Sequence, residues 1–288
     1  MVAVGAKWLN FGYLPIRPQL YLIVIVAVVG ALVGLSLRRS RIAVISVVGL
    51  SVVLFAWGAS TGITDDLDEA ARATGLYLLE NSEDIPRGDE AFALLLERAF
   101  VYAEDNSHGT DPVFPNQAAI LALGVLLGDD QVARVGRREV DLDRREQRAA
   151  LRRRVTVHGR NDLSKHFWVS AALTVLSDER RALTVGLAKE LKDSTPGGSG
   201  FSFVDMAANK AGIRFAVVAT RDAASARSMQ MRIIHDAHQL NFAPDISGLP
   251  EGISDDEFRT VYGGLGGTNT RAILAEIDRR IRALEDLR

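Results

Sequence analysis

Two long apolar runs open the chain, and helical spacing of apolar positions governs almost everything after them. Residues 20–37 are apolar apart from Tyr21, Ser36 and small glycines, and residues 42–59 contain no charged side chain. Each run approaches the ~20 residues a helix needs to cross a bilayer. The intervening Arg38, Arg39, Ser40 and Arg41 leave room only for a reversal, so the pair predicts a transmembrane hairpin. Trp8, Phe11, Tyr13 and Trp57 fall where interfacial aromatic belts form. A cleaved signal peptide fits less well, because the first run ends in arginines and a second apolar run follows at once.

From residue 64 onward no alternation of apolar and polar residues is long enough to build a sheet. The predicted fold is all-α: a membrane anchor over residues 1–60, then a globular multi-helix domain over 61–288. Helices are expected over 65–80, with an acidic first turn, and over 90–104, with Phe92, Leu95, Leu96, Ala99, Phe100 and Ala103 on one face. A third is expected to start at Pro115 and Asn116 and to run through the apolar stretch 117–128. Residues 223–240 and 272–287 read as two more, and Ser254 with Glu257 reads as a capping box. The arginine-rich tract 134–154 also contains Glu139, Asp141, Asp143 and Glu146, and reads as a solvated helix laced with ion pairs.

Charge and composition remove several function classes. A formal charge of −2 gives no electrostatic reason to expect a nucleic-acid partner. The absence of cysteine excludes disulfides, thiolate metal sites and cysteine nucleophiles. The glycines at 197–200 and 263–267 lack the strand and the Lys-Ser/Thr ending of a phosphate cradle. The positive-inside rule puts the Arg38–Arg41 loop in the cytoplasm. The globular domain is then expected on the far side of a bacterial inner membrane, periplasmic or extracytoplasmic, with the lipid bilayer as its one predicted partner.

The candidate chemistry is concentrated in residues 158–212. Three helical segments there carry polar residues one turn apart: Asp162 with His166, Glu190 with Asp193, and Asp205 with Asn209. Such pairs share a helix face, so three helices can aim side chains at one point. One reading is a divalent-metal site, zinc or manganese, with His166, Glu190 and Asp193 as ligands and Asp162 orienting an imidazole. Asp205 and His158 are then the candidates for proton transfer, and Asp162, Lys189 and Asn209 for ligand binding. The other reading is a buried hydrogen-bond network, in which Asp162 accepts from His166 and a lysine pairs a carboxylate. Ser202 and Asp205 also fit a capping box, which makes both a helix start. His235 and His238 form a second pair, one that reads as a solvated helix edge.

The series Asp162, Lys165, His166, Phe167; Lys189, Glu190, Asp193; and Gly200, Phe201, Ser202, Asp205, Ala208, Asn209, Gly212 resembles the motifs of the YfiM-like lipoprotein family and, more distantly, of VanZ-like envelope proteins. The resemblance covers about 55 residues and implies an envelope-associated helical domain sharing His166, Glu190, Asp193 and Asp205, without an established reaction. VanZ-like proteins place these motifs on spanning helices, whereas Arg180, Arg181, Lys189 and Lys192 make the intervening helix here too polar to span. Three expectations follow: a membrane-anchored envelope protein whose cluster binds a small ligand, a divalent metal or an envelope component; a metal-dependent hydrolase; or a purely structural envelope protein.

Overall fold

The computed structural model describes residues 64–106, 109, 111–128, 143–177, 179–194 and 198–287. The runs 20–37 and 42–59, read as a hairpin, lie outside the described residues, as does the first part of the arginine-rich tract. The described residues are all-α: they form no strand, only three isolated bridges, 88 with 155, 157 with 160, and 201 with 253.

Helix α1 (Asp65–Glu80) starts where expected, because the Thr64 hydroxyl accepts the Leu67 N–H at 3.3 Å. Helix α2 (Asp89–Asp105) buries the face read from its spacing, including Phe92, Leu95, Leu96, Ala99 and Phe100. The stacked rings of Tyr77 and Tyr102, 4.3 Å apart, join the two helices.

Helix α3 (Val113–Leu127) begins ahead of the expected start. Pro115 is tolerated in its first turn because the first four N–H groups of a helix have no intrahelical partner anyway. Asn116, read as a helix start, is a fully buried tie instead. Its Nδ2 donates to the carbonyls of Ala219 and Ala226, at 2.8 and 2.9 Å. Apolar on every side, α3 is buried over most of its length, as an all-round hydrophobic helix must be.

Helix α4 (Asp143–Arg152) is the described helix of the basic tract. Arg144 does pair with Glu80 across solvent, at 3.3 Å. Arg152, however, donates to the carbonyls of Leu126 and Val125 (2.7 and 2.8 Å), two of the orphaned groups at the C-terminal end of α3. Arg154 reaches the Ser82 carbonyl at 2.9 Å. Two of the arginines, Arg152 and Arg154, thus hold backbone carbonyls as well.

The centre of the fold is α3 with α5 (Asn161–Leu176) and α7 (Phe203–Thr220), flanked by α6 (Glu179–Asp193) and α8 (Ala223–Asp236). Its interior is aromatic. Trp168, fully buried, lies 5.1–5.9 Å centroid to centroid from Phe92, Phe167 and Phe215, and Phe242 closes on Phe215 at 5.0 Å. Helix α8 stops at Asp236 and tightens into a 3₁₀ turn, Ala237–Gln239, so the segment expected to reach residue 240 changes pitch near its end. Helix α9 (Asp255–Thr260) is capped by Ser254 as read, and α10 (Thr268–Ala283) starts four residues before the expected 272. No helix of the described residues is long and apolar enough to cross a membrane.

Candidate metal centre

Two helix ends and one helix face build the central cluster. Helix α6 ends at Asp193, and the chain turns back at Gly200, whose N–H donates to the Asp193 carbonyl at 2.7 Å. Gly200 has φ +90, and a Cβ there would stand 2.4 Å from the Gly252 backbone, so only glycine fits this crossing. Phe201 then exchanges two backbone hydrogen bonds with Ile253, and Ser202 is placed to start α7.

At Ser202 the capping box is half made. Its hydroxyl accepts the Asp205 N–H at 3.0 Å, as expected. The reciprocal bond, in which the third residue of the box accepts the N–H of the cap, is replaced. Glu190 Oε2, reaching from α6, accepts the Ser202 N–H at 3.1 Å. The Asp205 carboxylate is thereby left to face α5, where its Oδ2 lies 3.2 Å from Nε2 of His166. Its Oδ1 is buried without a hydrogen-bond partner.

The hydrogen-bond inventory fixes one nitrogen of His166. Nδ1 lies 3.1 Å from Oδ1 of Asn209, which also accepts the Ser170 hydroxyl at 2.9 Å. With the Asn209 amide in this orientation, which leaves its Nδ2 buried without a partner, Nδ1 donates. Nε2 faces the Asp205 carboxyl, a contact that an imidazolium, a protonated carboxyl or a cation between the two can each satisfy. Histidines that bind metals show this pattern, with the far nitrogen donating to an oxygen held by further bonds. Helix α6 comes close at this point: a Cβ on Gly186 would stand 2.9 Å from Nδ2 of Asn209.

Glu190 is fully buried, and burial raises its carboxyl above the ordinary range. Lys189 opposes that shift from 3.4 Å, whereas Asp205 adds to it. The free energy cost of an ionised carboxylate in such a place is only partly offset by one half-exposed lysine.

His166, Glu190 and Asp205 each offer a ligand atom within 4.8 Å of the others, and no second such trio of histidine and acid occurs among the described residues. A tetrahedral ion with arms of about 2.1 Å sets its ligands about 3.4 Å apart. The His166 to Asp205 edge, at 3.2 Å, already has that length. One imidazole with two carboxylates suits zinc or manganese.

The remaining residues singled out in the sequence lie elsewhere. Asp193, expected as a ligand, points to Lys189 at 2.6 Å and is replaced in the trio by Asp205. Asp162 does not accept from His166. It sits in the exposed first turn of α5, where Arg160 holds it through two hydrogen bonds, at 2.6 and 3.1 Å, and keeps its carboxyl below the usual range. His158 bonds to the Pro244 carbonyl at 3.0 Å, away from the trio. Lys189 touches the cluster through Glu190, and Asn209 touches it through His166. Ser170 and Gly186 were missed, although Ser170 lies one turn beyond His166, the same spacing that links Asp205 with Asn209. His235 is exposed and His238 half exposed, as a solvated edge requires.

None of the family models, curated proteins and solved structures compared with the chain matches it.

Proposed function

We propose that this chain is a membrane-anchored protein of the bacterial cell envelope whose helical domain binds one divalent cation, zinc or manganese, through His166, Glu190 and Asp205. The observation that carries the reading is the meeting of three ligand atoms from three helices beside an unpartnered buried oxygen of Asp205. Asn209 and Ser170 would hold the imidazole with Nε2 toward the ion. The ion would supply positive charge beside the buried Glu190 and the part-buried Asp205. The anchor rests on the hydropathy of residues 20–37 and 42–59, and the outward orientation on the arginines between them. The sequence resemblance to envelope proteins points the same way.

A hydrolytic metal centre needs a coordination position open to water and substrate. Glu190 is fully enclosed and His166 is 7% exposed, which favours a cation held between helices over one that activates water. Such an ion would stabilise the folded state, because the unfolded chain has no formed site.

The test is elemental analysis of the full-length protein purified in detergent and loaded with zinc or manganese. The expected result is about one ion per chain, with none retained by a folded His166→Ala variant. A wild-type protein that stays metal-free after loading with either ion would contradict the reading and leave the cluster as a packing network.

A further inference from the structure

A cavity of about 430 Å³ lies apart from the metal trio. It opens between the first turns of α2, the turn around His158 and the segment that follows α8. Its apolar side is made by Phe92, Leu96 and Phe242, and its polar side includes Asp89, Glu90 and His158, with no lysine or arginine among the lining residues. A volume of this size lies in the range that takes a small organic molecule.

The polar side holds two carboxylates beside Thr156, His158, His238 and Asn241. Asp89 Oδ1 is fixed by the Thr156 hydroxyl and by the Gly159 N–H, the latter at 3.0 Å, which leaves its second oxygen for a ligand. Glu90 is exposed and has no partner among the described residues. His158 adds a third acceptor. Its Nε2 faces the Pro244 carbonyl, which can only accept, so Nε2 carries a hydrogen, and the lone pair of a neutral ring is then on Nδ1. His158 holds this position with φ +52, in the left-handed region that non-glycine residues seldom adopt, and its bond to Pro244 ties the turn to the opposite wall. An ammonium group offers three N–H donors and no acceptor, and an aromatic or alkyl body fits against the two phenylalanines.

We infer that this cavity is a binding site for a small primary amine with an apolar body, its ammonium held by Asp89, Glu90 and His158. A carboxylate ligand of the same shape would meet the like charges of Asp89 and Glu90, while His238, also on the lining, is turned to Glu97 at 3.6 Å.

The experiment is calorimetric titration of the full-length protein in nonionic detergent with 2-phenylethylammonium, and separately with 3-phenylpropionate, each read as saturable heat above micelle partitioning. The amine is expected to bind and the acid not to bind. Glu90→Gln, which removes a charge from an exposed side chain, is expected to weaken the amine by about tenfold. Ala93→Phe, which fills the cavity from the α2 side, is expected to abolish binding, with circular dichroism showing that both variants remain folded. No saturable binding by the wild type, equal binding of the acid, or unchanged affinity in both variants would overturn the assignment. Because neither variant touches the metal trio, failure here leaves the cation reading standing, and the reverse also holds.

Discussion

Replacing Gly212 by alanine is expected to destabilise the domain by on the order of 3 kcal/mol, which lowers the melting temperature of a domain this size by about 10 °C. The cause is backbone contact. Helices α5 and α7 approach so closely at this point that a Cβ on Gly212 would lie 2.1 Å from the carbonyl oxygen of Phe167 and 3.0 Å from its Cα. No flexible side chain can yield, so one helix must move. Alanine restores about 1 kcal/mol of helix propensity, too little to offset that displacement. Because Phe167 follows His166, the same movement would draw the imidazole away from Asp205. Thermal unfolding of the variant checks the prediction, and wild-type stability would mean that the two helices are not in contact there.

Glu190→Gln is expected to produce two effects of opposite sign. In the metal-free protein it should stabilise the fold at neutral pH by on the order of 1 kcal/mol, because the amide can still accept the Ser202 N–H while no ionised carboxylate is buried. The same change should reduce zinc affinity by more than about a hundredfold, since loss of groups one step further from an ion already costs ten- to a hundredfold.

The pH dependence follows from the raised carboxyl of Glu190. In the native metal-free state this group binds its proton more tightly than in the unfolded chain, where its value is near 4.5. The stability that protonation contributes is complete below the unfolded value and is lost as pH rises through the folded one. The advantage of Gln should therefore be seen at neutral pH and vanish in acid. Urea titrations of both proteins at several pH values, in chelator, measure it. Destabilisation by Gln at neutral pH would show that the charge of Glu190 is needed by the fold itself.

Much of the helical framework was legible because local chemistry decides it. Thr64 caps α1, Ser254 caps α9, and the apolar face of α2 follows from spacing alone. Asn116 was misread because an asparagine after a proline has the look of a helix start. Its true partners, Ala219 and Ala226, are about a hundred residues away. The role of Arg152 was hidden for a similar reason: a sequence shows neighbouring acids but not distant helix-end carbonyls.

The polar cluster was legible in outline, but which acid stands beside His166 and Glu190 was not. Spacing placed His166, Glu190 and Asp205 on helices able to converge. The choice between Asp193 and Asp205, however, depended on how α6 hands the chain to α7. The crossing of Gly200 over Gly252 sets that turn, and Glu190 takes the bond that a capping box would have assigned to Asp205. Asp162 failed as a partner of His166 because Arg160, two residues before it, reaches its carboxylate in solvent.

A cation held by His166 and Glu190 would take Asp205, not Asp193, as its third ligand. Zinc titration of the full-length protein with Asp205→Asn and Asp193→Asn side by side tests it most directly. The account predicts that Asp205→Asn loses binding while Asp193→Asn binds as the wild type does. Equal zinc affinity in wild type and Asp205→Asn, or loss confined to Asp193→Asn, would contradict it.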